Sequence, residues 1–251
     1  MSRKLTGRVA AVTGASKGLG KAMAAALAAE GARVALIARD REQLSALAVE
    51  IRDAGGTAEA FAADVTSEEQ VDSTCRDIAA QFGEVNILIN NAGINLRKSI
   101  DDLTLQDWHH VMDTNVTSAF MMCRAALPHM RGRGYGRILN MTSIMSHVAI
   151  PNRVAYSASK AALLGMTRAL ALELVSEGIT VNGISPGPFI SEMTRPLLED
   201  AAVSAQMLAN IPLGRWGKPE EVGQLAVYLC SEEAGFITGT DIVIDGGWTA
   251  R

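Results

Sequence analysis

Aromatic side chains supply only 4% of the 251 residues, too few to build a base-stacking surface for single strands. Excess positive charge is missing too. The 23 basic and 27 acidic residues leave a net charge of −4, which does not favour a phosphate backbone. No apolar run approaches the ~20 residues of a membrane-spanning helix. The opening MSRKLTGR passes straight into a strand-like segment without a signal-peptide core, so a cytoplasmic protein is expected. Cysteine is scarce: Cys75, Cys123 and Cys230 form no CxxC pair and no metal-ligand spacing. Reduced thiols and no metal are the expectation. Nucleic acid and membrane are set aside as partners, leaving a small molecule.

What is present is alternation. Short apolar, strand-like runs fall at 8–13, 33–38, 58–65, 85–90, 136–143, 178–185 and 240–246. Helical patterns lie between them at 18–31, about 41–55, 67–82, 105–130 and from near Ala155. Asp40 and Gln43 read as a capping box for the second helix. Strands separated by helices cannot pair as hairpins, so right-handed crossovers and a parallel sheet follow. The expected fold is α/β: a single doubly wound Rossmann domain over 1–251, with about seven parallel strands and helices on both faces. The rhythm breaks between Pro186 and Pro219, around the helical pattern PLLEDAAVSAQML. An insertion over about 187–218, beyond a strand's C-terminal end, is placed as a substrate lid.

The first strand runs into TGASKGLG, with Gly14, Gly18 and Gly20 spaced as G-x-x-x-G-x-G. This is not the usual G-x-G-x-x-G, and it fails as an ATP-type loop because Ala15 and Ala22 stand where Gly and Ser/Thr are needed. A glycine turn between a strand and a helix still suits a pyrophosphate, which the helix N-terminus attracts. A dinucleotide fold usually offers an acid about 20 residues later for the ribose 2′-hydroxyl. Here that place holds Arg39, which grips a 2′-phosphate rather than accepting from a hydroxyl. Lys17 supplies a second cation, so NADP(H) is favoured over NAD, with Asp40 read as a helix cap.

TGASKGLG, Asp64-Val65, NNAG at 90–93, Asn115, Ser143, YSASK at 156–160 and PGPF at 186–189 occur in order, followed by TGTDIVIDGG. Together they resemble the short-chain dehydrogenase/reductase family over nearly the whole chain. The resemblance implies an NADP(H)-dependent oxidoreductase interconverting a carbonyl and a secondary alcohol, commonly a homotetramer. It implies catalytic roles for Asn115, Ser143, Tyr156 and Lys160. Cofactor contacts are implied for Gly14, Ser16, Lys17, Gly18, Leu19, Gly20, Arg39, Asp64, Val65, Asn91, Ala92 and Gly93. At the nicotinamide end they are Tyr156, Lys160, Pro186, Gly187, Phe189 and Ser191. The counterpart of Asn115 distorts its helix and anchors a water leading to the lysine. The counterpart of Lys160 holds the nicotinamide ribose.

The chemistry can be argued beside the resemblance. Tyr156 and Lys160 are four residues apart and share one helix face. A phenol titrates near ~10, so serving as base at neutral pH requires about 4 kcal/mol of help. A nearby ammonium and an oxidised nicotinamide both favour the phenolate. Tyr156 then exchanges the substrate proton, and Ser143 positions the reacting oxygen.

Two substrate classes remain. Relatives that reduce 3-oxoacyl thioesters carry basic residues for the acidic carrier protein where this chain has Gly134 and Glu177. Arg131, Arg133 and Arg137 lie near the first of these places. The stretch NNAGINLRK and the ending DGGWTAR instead resemble sugar-acid and polyol dehydrogenases of the gluconate 5-dehydrogenase type. Asn95 and Arg97, with His147 and Asn152, are the candidate substrate contacts. A scaffold that binds cofactor without turnover is the other class, and the complete Asn–Ser–Tyr–Lys set argues against it.

Overall fold

The computed structural model describes residues 3–192 and 194–250. Strand β1 (Val9–Thr13) leads into helix α1 (Gly18–Ala29), β2 (Arg33–Ala38) into α2 (Arg41–Asp53), and β3 (Thr57–Ala62) into α3 (Glu68–Phe82). After β4 (Ile87–Asn90) come α4 (Leu105–Met112), a π-helical turn (Asp113–Thr117) and α5 (Ser118–Met130). Then β5 (Gly136–Met141), α6 (Val154–Leu174) and β6 (Ile179–Pro186) follow. Two short helices, α7 (Arg195–Glu199) and α8 (Ala201–Leu208), precede α9 (Pro219–Cys230) and β7 (Asp241–Ile244).

The strands form one seven-stranded parallel sheet in the order β3-β2-β1-β4-β5-β6-β7. The order reverses between β1 and β4, which opens a crevice at the strands' C-terminal ends. Period-two alternation places Ala10 and Val12 in the layer with Met23, Leu27, Leu44 and Val222. Val9 and Ala11 face the other layer, with Ile78, Met122 and Leu174. Helices α1 and α9 touch closely, because a Cβ on Gly223 would lie 3.0 Å from both the Ala22 carbonyl oxygen and the Ala26 methyl. The three cysteines are buried and free, and burial pushes their thiols up to about 11 for Cys75 and about 12 for Cys123 and Cys230.

The expected elements are present, with four differences. Strand β3 stops at Ala62 rather than reaching 65, since Asp64 turns the chain by accepting from the Thr66 N–H at 2.9 Å. The helical stretch 105–130 is broken by the π turn, at the Asn115 where the resemblance implies a distorted helix. The pattern after Pro196 splits because Asp200 caps α8, accepting from the Ala202 and Val203 N–H groups at 3.0 and 3.1 Å. Helix α9 was not expected, although Pro219, Glu220 and Glu221 are helix-opening residues.

Candidate active site

A cavity of about 1230 Å³ runs along the C-terminal ends of the strands. At one end the chain leaves β1 through Gly14 at φ +61° and Gly18 at φ +56°, where glycine carries no Cβ strain. Gly20 serves a different purpose. A Cβ there would lie 2.3 Å from the Gly14 carbonyl oxygen and 2.4 Å from Asn91 Nδ2, so Gly20 lets the loop close on the end of β4 beneath the cavity. Asn91 Nδ2 donates to the Thr13 and Gly14 carbonyls at 2.9 and 3.1 Å. Thr13 Oγ1 accepts from the Asn91 and Ala92 N–H groups at 2.9 and 3.0 Å. These bonds lock the two loops together.

Ser16, Lys17, Gly18 and Leu19 line the cavity where α1 begins, and no side chain caps that helix. Its first N–H groups and positive dipole end therefore open onto the cavity. Lys17 and Arg39 line the same end, are exposed, and join none of the ion pairs among the described residues. Asp40 is the cap of α2, its carboxylate accepting from the Gln43 backbone and side chain at 3.0 and 2.7 Å. Asp64 and Val65 form the adjoining wall. The Thr66 N–H holds the Asp64 carboxyl below its ordinary pKa, helped by the Thr66 hydroxyl and the Arg39 charge and opposed by burial.

At the other end, Tyr156 and Lys160 project from α6 and Ser143 from the turn after β5, all onto the cavity. Lys160 is buried, donates from Nζ to the Met141 carbonyl at 2.6 Å, and stands 5.6 Å from the Tyr156 ring centre. Burial pushes the ammonium down to about 8. Burial also raises the Tyr156 phenol above its ordinary value, opposed by the Ser143 hydrogen bond and the Arg153 charge. In the protein alone burial is thus the largest influence on the phenol, while Ser143 and Arg153 favour its ionised form.

Asn115 lies behind the cavity in the π turn. Its Oδ1 accepts from the Ile94 N–H at 2.7 Å, while Nδ2 donates to the Ile94 carbonyl at 3.0 Å and to Ser159 Oγ at 2.9 Å. The amide thus fastens the loop after β4 to α6. A Cβ on Gly93 would lie 3.2 Å from Asn115 Oδ1 and 3.6 Å from Lys160 Nζ, so this glycine leaves room between the two.

Ala92, Gly93, Asn95, Arg97, Pro186, Gly187, Phe189 and Ser191 also line the cavity. A Cβ on Gly187 would come within 2.7 Å of Asp245 Cβ, which explains the glycine after Pro186. Phe189 bridges to Gly217, where a Cβ would strike the phenyl ring at 2.5 Å. His147 and Asn152 do not line the cavity. The His147 ring is turned to Asp241, 2.7 Å away, and Asn152 is exposed at φ +62°. Reading the sequence missed Met145, Ile150, Arg153, Leu197, Trp216 and Trp248, which also form part of the wall. For Arg153 a signal existed, since it stands three residues ahead of Tyr156.

The family model described as enoyl-(acyl carrier protein) reductase matches residues 14–249. The D-threitol dehydrogenase of Mycolicibacterium smegmatis is 38% identical over 248 residues, covering 99% of this chain and 95% of that protein. The chain belongs to the short-chain dehydrogenase/reductase family. Another member, the 3-oxoacyl-(acyl-carrier-protein) reductase FabG of Staphylococcus aureus, is 37% identical over 95% of this chain and 96% of its own length. A gluconate 5-dehydrogenase from Burkholderia cenocepacia, solved with NADP and tartrate, superposes with a TM-score of 0.95 at 35% identity. That alignment covers 100% of this chain and 98% of the other.

The site fits the dinucleotide that this oxidoreductase family uses. The uncapped α1 N-terminus faces a cavity long enough to reach from Arg39 to Tyr156. The acid nearest the expected ribose position, Asp40, is occupied as a cap, whereas Lys17 and Arg39 are free to bind a phosphate.

Proposed function

We propose that the chain is an NADP(H)-dependent oxidoreductase that interconverts a carbonyl and a secondary alcohol, with Tyr156 as the general acid/base. One observation carries this reading: Tyr156, Ser143 and Lys160 meet at one end of a cavity whose other end holds the unpaired cations Lys17 and Arg39. NADPH, when bound, supplies the hydride, and NADP⁺ accepts it in the reverse direction. Tyr156, held neutral, donates the proton to the carbonyl oxygen. Ser143 hydrogen-bonds that oxygen, and Lys160 and Asn115 fix the positions of the loops around it. Lys17 and Arg39 hold the 2′-phosphate. Asp64, Val65, Asn91, Ala92 and Gly93 line the adenosine side.

Of the two substrate classes, sugar acids and polyols fit better than carrier-bound thioesters. The arginines available to dock an acidic carrier are already engaged. Arg131 pairs with Glu177 at 3.4 Å, Arg133 with Glu84 at 3.2 Å, and Arg137 is buried over Tyr135. Residues 187–218, including α7 and α8, act as a lid, with Leu197 and Met207 facing the cavity. Leu105, Phe120 and Leu172, exposed on α4, α5 and α6, supply apolar surface for a homotetramer, testable by light scattering. Buried, protonated thiols suit a reducing cytoplasm.

The test is a matrix of NADPH and NADH against keto sugar acids, ketoacyl thioesters, diketones and ketosteroids. The proposal predicts NADPH-linked turnover of keto sugar acids. No turnover anywhere in the matrix, with NADPH still bound, points to a non-catalytic scaffold.

A further inference from the structure

The two stems of the lid are stapled together at their base. The Ile190 N–H donates to the Gly217 carbonyl, and the Gly217 N–H to the Pro188 carbonyl, both at 3.0 Å. Just beyond, Ser191 and Thr194 close a tight turn. The Ser191 N–H donates to Thr194 Oγ1 at 2.9 Å, and that hydroxyl donates to the Phe189 carbonyl at 2.6 Å. The turn carries Glu192 to the start of α1, where a Cβ on Gly18 would lie 3.4 Å from Glu192 Oε2 and 3.6 Å from Ser191 Cβ. Farther out the lid is lightly held, since α8 buries none of its residues.

Glu192 lines the cavity, is exposed, and joins none of the ion pairs among the described residues. Its charge has the wrong sign for a wall that receives phosphates, because it repels an incoming anion. It has the right sign for the helix it faces. The first turn of α1 contains no acidic residue and no side chain caps it. Its N–H groups and positive dipole end therefore draw an anion from outside the helix. In the protein alone, Glu192 answers that attraction from the lid.

We propose that Glu192 is an anionic latch: its carboxylate holds the lid against the α1 N-terminus and is displaced by the phosphates of the coenzyme. Both anions draw on the same helix end, so each weakens the hold of the other by the same factor. Phosphate binding frees the lid, and the return of Glu192 hastens departure of the coenzyme. The inference rests on the phosphates binding at the glycine loop, and is independent of Tyr156 and of the substrate.

The experiment measures NADPH binding to wild type, Glu192→Gln and Glu192→Lys by fluorescence titration, with melting temperatures to verify folding. Hydrogen–deuterium exchange of the segment 191–208 is followed with and without inorganic pyrophosphate. Glu192→Gln should bind NADPH about 3- to 10-fold tighter at low salt, and Glu192→Lys tighter still. Both gains should shrink at about 1 M salt, where charges are screened within ~3 Å. Without ligand, the lid of Glu192→Gln should exchange about 3-fold faster than that of wild type. Pyrophosphate should speed exchange in wild type and leave Glu192→Gln unchanged. Unaltered NADPH affinity in both variants, or lid exchange in wild type that ignores pyrophosphate, overturns the proposal. If wild type fails to bind NADPH while pyrophosphate still frees its lid but not that of Glu192→Gln, the latch stands and the coenzyme reading fails.

Discussion

The imidazole Nε2 of His147 lies 2.7 Å from Oδ2 of Asp241, a carboxylate whose side chain is only 3% exposed. Asp241 on β7 also accepts from Ser185 Oγ at 2.7 Å and meets Thr142 Oγ1 at 2.6 Å. Even the strand beside it makes room, since a Cβ on Gly183 would lie 2.2 Å from Asp241 Oδ1. Thr142 and His147 flank Ser143 in the chain, so one buried carboxylate fixes both sides of the serine's turn. Asp241→Ala strands these donors and should cost about 2–4 kcal/mol of stability, with a fall in kcat from a loosened Ser143. Denaturant unfolding and steady-state kinetics measure the two effects. Wild-type values for both would remove Asp241 as a positioning residue.

Lys160 gives the native protein a pH dependence of known sign. Its native value, about 8, is below the 10.5 of an unperturbed lysine, so between these values the unfolded chain binds more protons. Stability contributed through this group therefore rises as pH increases from 8 to 10.5. Relative to Lys160→Met, wild type should gain up to about 3 kcal/mol across that window. Parallel unfolding curves at each pH, in the absence of cofactor, provide the comparison. A constant difference would contradict the burial argument.

Gly20→Ala tests the closure of the glycine loop. The new methyl meets the backbone of Gly14, which cannot swing aside as a flexible side chain can. Overpacking of this kind costs about 1–3 kcal/mol and should also weaken NADPH binding. Thermal unfolding and a fluorescence titration with NADPH check it.

Lys17→Ala combined with Arg39→Asp should reverse the coenzyme preference. The aspartate accepts from a ribose 2′-hydroxyl and repels a 2′-phosphate. The ratio of kcat/KM for NADPH to NADH should fall about 100-fold or more. An unchanged ratio would show that these two cations do not read the phosphate.

Much of this site was legible because its parts are local. The apolar runs placed the strands, and the four-residue spacing put Tyr156 and Lys160 on one face of α6. What escaped depends on distant partners. His147 was placed in the pocket wall because its acceptor is 94 residues away. The distortion at Asn115 is implied by the family resemblance, but its partners, the backbone groups of Ile94, lie 21 residues away and carry no local signal. Arg153 stands three residues ahead of Tyr156, but only the fold shows that it lines the cavity together with Arg97. The four-residue spacing carries no sign of the burial that raises the Tyr156 phenol, or of the Met141 carbonyl that holds the Lys160 ammonium 5.6 Å from its ring centre.

Tyr156→Phe addresses the central claim most directly. The variant keeps the ring and removes only the phenolic hydroxyl, and with it the proton that Tyr156 exchanges. NADPH affinity, followed by fluorescence, should be largely retained while the rate of carbonyl reduction falls about 100- to 10,000-fold. Reduction at the wild-type rate by Tyr156→Phe would contradict the assignment of Tyr156 as the acid/base.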